Sequence, residues 1–199
     1  MSVTTDPPRS LTSSARRAQI IAATIEVIAR EGYGQASFGR IARQASLSST
    51  RLISYHFAGK DELMAACVAD VIGALGHFMS AKVGAQTTAA GQLRAYIEGV
   101  IEFTDAHRDG MRALLQIFLS GAWAPDLGAS PAGGHLEAIL RRGQQSGEFR
   151  DFDARVMAAT VQRAVEGLPL QLDGDPDLDC AAYASELVTL FELATRRQS

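Results

Sequence analysis

Two short helical segments near the N-terminus place the tightest constraint on how this chain can fold. Ser37 can cap the first of them, at residues 37–45, and Ser48 can cap the second after the turn at Ser46-Leu47. The apolar face of the first segment is formed by Phe38, Ile41, Ala42 and Ala45. Helices of about eight residues are not stable alone in water. The pair therefore requires a longer helix as a common core, which predicts a helix-turn-helix.

Helical periodicity continues on both sides of this pair, and strand alternation is sustained nowhere. A first helix is predicted from about Ser14 to Glu31, and residues 1–13 are expected to be a disordered arm. A helix is also predicted from Lys60 to about Lys82, because Asp61 and Glu62 in its first turn favour the helix dipole. Further helices are predicted at about 89–107, 109–121, 135–146, 152–171 and 177–197. The Gly/Pro-rich stretch 121–134 is expected to be a loop. The fold class is therefore all-α, with about nine helices.

The charge distribution separates an N-terminal head from the rest of the chain. Residues 1–60 hold eight basic and three acidic side chains, a net charge of +5. Residues 61–199 hold 11 basic and 19 acidic side chains, a net charge of −8, although the whole chain carries only −3. This asymmetry indicates a head that binds a polyanion and an acidic body.

Several classes of protein are disfavoured by the sequence. No uninterrupted apolar run reaches the roughly 18 residues that a membrane span needs, and the N-terminus has no signal-peptide core. Cys67 and Cys180 are isolated, so neither a disulfide framework nor a zinc site is expected, and a cytoplasmic location fits. Catalytic motifs are lacking, and the glycines of "GYGQAS" follow a helix rather than a strand. We expect no enzyme activity, no cofactor, no metal and no membrane partner.

The second short helix has the residues that a DNA-reading helix needs. Short polar side chains and arginine can approach base edges in the major groove, and Arg51 can bond both O6 and N7 of guanine. Phosphate contacts fix register without reading sequence, and flanking residues suit that role. The predicted DNA-binding residues are Ser37, Ser48, Ser49, Thr50, Arg51, Ser54, Tyr55, His56 and Lys60. Arg16 and Arg17 are equally consistent with phosphate contacts and with a solvated charge pair.

Residues 14–75 resemble the TetR family of bacterial transcriptional regulators. The most specific stretches are "EGYGQASFGRIARQASLS" and "ISYHFAGKDEL", which occur in the family's order. Two departures are present. Ser46 stands where the family often has glycine, and the spacing from Leu47 to His56 is one residue longer than the commonest one. The residue that leads base readout, Thr50 or Arg51, is therefore open.

The resemblance implies the remaining organisation. It implies a helix-turn-helix DNA-binding domain at residues 14–60 and a helical ligand-binding and dimerisation domain at 61–199. The partners would be double-stranded operator DNA, a second copy of the chain and an unidentified small-molecule effector. The implied function is a repressor that binds a palindromic operator as a dimer and is released by the effector. The alternative is a helical ligand- or protein-binding module with only non-specific DNA affinity.

Two residue sets in the body are predicted from apolar periodicity. A candidate effector pocket comprises Phe103, His107, Met111, Leu115, Phe118 and Trp123, with Gln162 and Glu166 as polar groups. Its apolar members are equally typical of an ordinary core, and His107 could instead be a capped histidine at a helix end. A candidate dimer interface comprises Val156, Val161, Val165, Leu168, Ala184, Leu187, Val188 and Phe191.

Overall fold

A computed structural model of the chain describes residues 8–122 and 131–197. Within these ranges it contains ten α-helices and one 3₁₀ turn, and no β-strand beyond an isolated bridge between Phe149 and Arg196. The α-helices are α1 (Pro8–Glu31), α2 (Phe38–Gln44), α3 (Arg51–His56), α4 (Lys60–Gly84), α5 (Ala89–Ala106), α6 (Arg108–Leu119), α7 (Pro131–Gln145), α8 (Ala154–Glu166), α9 (Leu168–Gly174) and α10 (Cys180–Thr195). The 3₁₀ turn is Tyr33–Gln35. The all-α fold class is confirmed.

The helix boundaries differ from the predicted ones at three places. Helix α1 begins at Pro8, so it takes in part of the segment expected to be a disordered arm. Helix α7 begins at Pro131, inside the stretch expected to be a loop. The helix predicted at 152–171 is two helices that meet at Gly167. Pro169 explains this break, because it has no N–H for the carbonyl of Val165 and its ring would clash there. The last regular bond of α8 runs from the Gly167 N–H to the carbonyl oxygen of Arg163, at 3.2 Å.

The chain divides into two compact units, which we call the head and the body. Of the described residues, the head contains 8–71 and 112–122, and the body contains 72–111 and 131–197. The head is larger than the predicted domain at 14–60, because it includes the start of α4 and most of α6. Helices α4 and α6 therefore each contribute residues to both units.

The head has its own apolar core around α1. The most deeply buried side chains of this core include Ile20, Ile28, Ile41, Ile53, Phe57, Leu63 and Ile117. Ile41 lies on α2 and Ile53 on α3, so each short helix contributes a side chain with no exposed surface. This burial supplies the stability that helices of seven and six residues lack by themselves.

The core of the body is organised around α5, which packs against α7, α8, α9 and α10. Leu93, Ile97 and Ile101 form its buried stripe. Side-chain oxygens cap three of the body helices: Thr88 caps α5, Asp153 caps α8 and Asp179 caps α10. Such caps satisfy amide donors that a helix start leaves unpaired.

Helix α4 is the one described helix that is long and apolar enough, by length and composition, to cross a membrane. Core helices of globular proteins pass the same test. The first half of α4 contributes Leu63, Met64 and Cys67 to the head core, and Asp70 lies near its centre. A carboxylate at the centre of a bilayer would be costly, so the composition of α4 is weak evidence for a span.

Candidate nucleic-acid interface

The turn between α2 and α3 is held by two backbone hydrogen bonds. The Ser46 N–H donates to the carbonyl of Arg43 at 3.0 Å, and the Leu47 N–H donates to the carbonyl of Ala42 at 2.8 Å. This pairing is a Schellman motif, which requires a left-handed residue and usually has glycine there. Ser46 takes that place with φ of 51°. The family resemblance places glycine at this position of the turn, and Ser46 adopts the left-handed conformation that glycine prefers.

The start of α3 differs from the prediction that Ser48 caps it. The hydroxyl of Ser49 accepts the N–H of Arg51 at 3.0 Å, while Thr50 is the N-cap residue and its side chain makes no capping bond. The bond from the Arg51 N–H to the Ser49 hydroxyl therefore fixes the loop before α3. Ser48 and Thr50 are left as exposed polar side chains.

One side of α3 is anchored in the head core and the other is exposed. Ile53 and Phe57 are buried. The predicted DNA-binding residues Ser37, Ser48, Ser49, Thr50, Arg51, Ser54 and Tyr55 are all exposed, and His56 and Lys60 are half-buried. Tyr55 is 80% exposed, which is unusual for a large aromatic side chain. We call the exposed residues of α3 and of the loop before it, namely Ser48, Ser49, Thr50, Arg51, Ser54 and Tyr55, the α3 surface.

Arg51 has no ion-pair partner among the described residues. By contrast, Arg40 on α2 is paired with Glu31, and Arg17 on α1 is paired with Glu62. Ser54 and Tyr55 follow Arg51 by three and four residues, so both lie on the face of α3 that carries Arg51. An unpaired arginine on such a face is available to a base edge or a phosphate.

Lys60 is fixed at the start of α4 by Tyr33. Its Nζ lies 4.3 Å from the Tyr33 ring centroid and 3.5 Å from the Tyr33 carbonyl oxygen. The Tyr33 N–H donates in turn to Oε1 of Gln116 at 2.9 Å. These contacts hold the Lys60 ammonium group at the start of α4, four residues after the end of α3, which suits the phosphate-contact role predicted for Lys60. Neither Tyr33 nor Gln116 was predicted from the sequence.

The predicted effector-pocket residues are divided between the head and the body. Leu115 and Phe118 belong to the head, Phe103 and Met111 are buried in the body, and Trp123 lies outside the described residues. His107 ends α5, and its ring stacks on Phe103 at 4.1 Å. Its Nδ1 lies 3.0 Å from the Phe103 carbonyl oxygen, so the reading of His107 as a histidine at a helix end is the better one.

The polar members of the predicted pocket do lie together. Gln162 is buried on α8, and its amide donates to Oε1 of Glu166 at 2.7 Å. Burial and the nearby charge of Glu166 raise the pKa of Tyr96 on α5 to about 12. Tyr96 is 6% exposed and was not among the residues predicted from the sequence. The sequence spacing could have identified Tyr96, because it lies seven residues before Phe103 on the same face of α5.

Five of the eight residues predicted for the dimer interface lie in the core of the body. Val161, Val165, Leu168, Val188 and Phe191 are buried in the body core of their own chain and have no surface left for a partner. Ala184 and Leu187 are half-buried, and Val156 is exposed. The large apolar side chains that these helices do expose are Val156 on α8, Leu170 on α9, and Leu190 and Leu193 on α10.

Both cysteines are buried in the structure. Burial raises the pKa of the Cys67 thiol to about 12, and burial together with Asp105 raises the pKa of Cys180. Neither thiol is therefore ionised at neutral pH, and neither has the lowered pKa of a catalytic nucleophile.

A short helix anchored by its apolar side, with exposed polar and basic residues opposite, defines a helix-turn-helix DNA-binding protein. Comparison with known proteins agrees. Residues 20–67 match the family model described as bacterial regulatory proteins, tetR family. The transcriptional regulator BetI of Cronobacter sakazakii is 30% identical over 161 residues, which cover 80% of this chain and 76% of that protein. BetI of Escherichia coli is 29% identical over 169 residues, covering 84% and 83%.

Solved structures share the fold. A tetR-family regulatory protein from Rhodococcus superposes with a TM-score of 0.78 at 20% identity, covering 92% of this chain and 98% of that one. A transcriptional regulator from Saccharomonospora viridis in complex with choline superposes with a TM-score of 0.77 at 22% identity, covering 93% and 100%. The chain belongs to the TetR family of transcriptional regulators. Its relatives are regulators and not enzymes.

The left-handed conformation of Ser46 gives a test of the turn. Replacing Ser46 with glycine should raise the free energy of unfolding by about 0.5–1 kcal/mol, because glycine adopts positive φ without the steric cost of a Cβ. Ser46→Val should lower it by about 1 kcal/mol or more, since β-branched residues tolerate this region poorly. Urea-induced unfolding followed by circular dichroism measures both. Equal stabilities of the two variants would contradict this account of the turn.

Proposed function

We propose that this regulator is a dimeric repressor that binds a palindromic operator and releases it when a small molecule binds the body. The observation that carries the proposal is the α3 surface, where unpaired Arg51 lies beside Ser54 and Tyr55. A two-fold dimer would offer two such surfaces to half-sites about 34 Å apart, one turn of DNA. A repressor that acts on the chromosome works in the cytoplasm, which is the compartment we propose.

Operator recognition should depend on Arg51 and Lys60 in different ways. Arg51→Ala should lower the affinity for the DNA upstream of the protein's own gene by roughly 5- to 150-fold and reduce discrimination against unrelated DNA, because a base contact is lost. Lys60→Ala should weaken binding to all sequences similarly, because a phosphate contact carries no sequence information. Electrophoretic mobility shift or fluorescence anisotropy at several salt concentrations measures both effects.

Arg141→Ala is the matched control for this experiment. Arg141 lies on the body and is paired with Glu137, so its loss should leave operator affinity unchanged. If the unaltered protein shows no sequence preference at any salt concentration, the alternative of a module with only non-specific DNA affinity is correct. Repression itself is measured by a reporter gene placed behind the same upstream DNA.

The exposed leucines of α10 support the proposed dimer. Leu190 and Leu193 lie three residues apart on one helix face, and Leu193 is 58% exposed. Leu193 also lines a surface cleft of about 650 Å³ with Arg150, Asp151, Ala194 and Arg197. Exposed apolar side chains in such a setting are typical of a surface that a partner covers. We place the dimer surface here rather than at the five core residues predicted from the sequence.

Introducing a charge on this face should separate the dimer. Leu193→Glu and Leu190→Glu should each shift the protein to monomer in sedimentation velocity, because a carboxylate would be buried in an apolar contact without a partner. Leu119→Glu is the control, since Leu119 is similarly exposed but lies on the head. A dimer that survives both α10 substitutions would show that the two chains meet elsewhere.

The polar group of the body supports an effector site. Glu166 supplies a carboxylate whose Oε2 also pairs with Arg163 at 3.0 Å. Gln162 supplies a buried amide, and Tyr96 supplies an aromatic ring with a hydroxyl that stays protonated at neutral pH. A carboxylate beside an aromatic ring favours a small organic cation. Choline is the probe to use first, because the S. viridis regulator with the same fold was solved in complex with choline.

Choline binding should depend on Glu166. Glu166→Gln should weaken choline binding by about tenfold or more in calorimetry, because the opposite charge that favours the cation is lost. Glu186→Gln on α10 is the control, since Glu186 is an exposed carboxylate of the body. Choline should also lower the affinity of the unaltered protein for its operator. Binding without any change in operator affinity would contradict its role as effector.

The proposed release has a thermodynamic requirement. An effector changes DNA affinity only if it binds two arrangements of the protein with different affinities. Helix α4 is the element that we propose to differ between them, because its first residues, up to Val71, lie in the head and the remainder lies in the body.

A further inference from the structure

Arg17 on α1 reaches the C-terminal end of α3. Its guanidinium NH1 donates to the carbonyl oxygen of His56 at 2.7 Å, and its Cζ lies 4.1 Å from the centroid of the Phe57 ring. The same nitrogen lies 3.4 Å from Oε1 of Glu62 on α4. The Arg17 side chain therefore contacts His56 at the end of α3, the buried ring of Phe57, and Glu62 in the first turn of α4.

Glu62 completes the arrangement from the other side. Its second oxygen, Oε2, accepts the backbone N–H of Ala58 at 2.7 Å. The Arg17–Glu62 pair thus holds the His56 carbonyl and the Ala58 amide, the two backbone groups that flank Phe57. Charge-assisted hydrogen bonds of this kind are stronger than bonds between neutral groups.

The end of α3 needs such support. The final carbonyls of a helix have no partner within the helix, and a cation near them is stabilising. Helix α3 has only six residues, so it has little stability of its own to define its direction. Arg17 ties this end to α1, a helix of 24 residues that forms the centre of the head core.

The neighbouring arginine behaves differently. Arg16 donates to Oε1 of Gln19 on its own helix at 2.8 Å. It makes no described contact with α3 or α4. Arg16 therefore serves as the matched control, with the same charge at the adjacent position of α1.

We propose that Arg17 is a positioning residue for DNA recognition: with Glu62, it sets the position of α3 against α1 and does not itself neutralise a phosphate. Base contacts require α3 to be placed to within a fraction of an ångström, because hydrogen bonds weaken steeply with distance and angle. Non-specific affinity depends on total positive charge and is much less sensitive to that placement. The proposal rests on the operator recognition described under Proposed function.

DNA binding at several salt concentrations separates positioning from phosphate contact. Arg17→Gln should lower operator affinity by about tenfold while the dependence of log affinity on log salt keeps its slope. A phosphate contact would instead reduce that slope by about one and weaken all sequences alike. Arg17→Lys should not restore operator affinity, because an ammonium group lacks the planar fork that contacts His56, Phe57 and Glu62 together. Full rescue by lysine would overturn the proposal.

The Glu62→Gln variant also distinguishes the two possible roles of Arg17, positioning α3 and binding phosphate, because each role predicts a different effect on DNA affinity. If Arg17 positions α3, Glu62→Gln should lower the ratio of operator to non-specific affinity, and the double variant should be little worse than either single one. If Arg17 binds phosphate, removing its carboxylate partner should raise operator and non-specific affinity alike and leave their ratio unchanged. An unchanged ratio would overturn the proposal.

A measurement without DNA tests the positioning directly and is independent of operator recognition. Amide hydrogen exchange at Phe57, which donates to Ile53, and at Ala58, which donates to Glu62, reports the closure of this end of α3. Both amides should exchange faster in Arg17→Gln and Glu62→Gln and at the original rate in Arg16→Gln. Unchanged exchange in the first two variants would overturn the proposal. Failure of the proposed operator binding would appear separately, as a lack of sequence preference in the unaltered protein.

Discussion

Burial of Ile41, Ile53 and Phe57 is the interaction on which the DNA-binding head depends. Fully burying one such side chain stabilises a fold by roughly 1.5–3 kcal/mol. Helices α2 and α3 have seven and six residues, so hydrogen bonding within them does not overcome the cost of forming a helix. The two helices exist because their apolar sides are covered by α1 and by the start of α4.

The function of the head follows from how that burial leaves the other side of α3. Once Ile53 and Phe57 face the core, Arg51, Ser54 and Tyr55 must face outward, since helix geometry separates these positions. The turn at Ser46 and the contacts of Arg17 then fix the two ends of the segment. Ser46 fixes the start of the segment through its left-handed backbone conformation, and Arg17 fixes the end through a charge-assisted hydrogen bond to the His56 carbonyl. Exposed polar groups on a held helix are what base readout requires.

The body shows how one apolar pattern can serve two purposes. Helices α8 and α10 carry more apolar residues than a single face needs. Val161, Val188 and Phe191 pack on α5, α7 and their neighbours, while Val156, Leu190 and Leu193 remain exposed. The buried amide of Gln162 has a hydrogen-bond partner in Glu166, whose charge also acts on Tyr96. A buried amide needs such a partner to offset its loss of water.

Local physics was sufficient to predict the all-α class, the cap at Ser37, the start of α4 at Lys60 and the exposed polar side of α3. Each of these depends on residues within one or two helical turns of each other. Tertiary structure decided the rest: the break at Gly167, the assignment of Val161 and Phe191 to the core, and the contacts made by Arg17 and Tyr96. The reason is that periodicity shows which face of a helix is apolar but not what covers it. Likewise, the partners of Arg17 lie far from it along the chain, His56 at 39 residues and Glu62 at 45. Sequence pattern carries no information over such a separation.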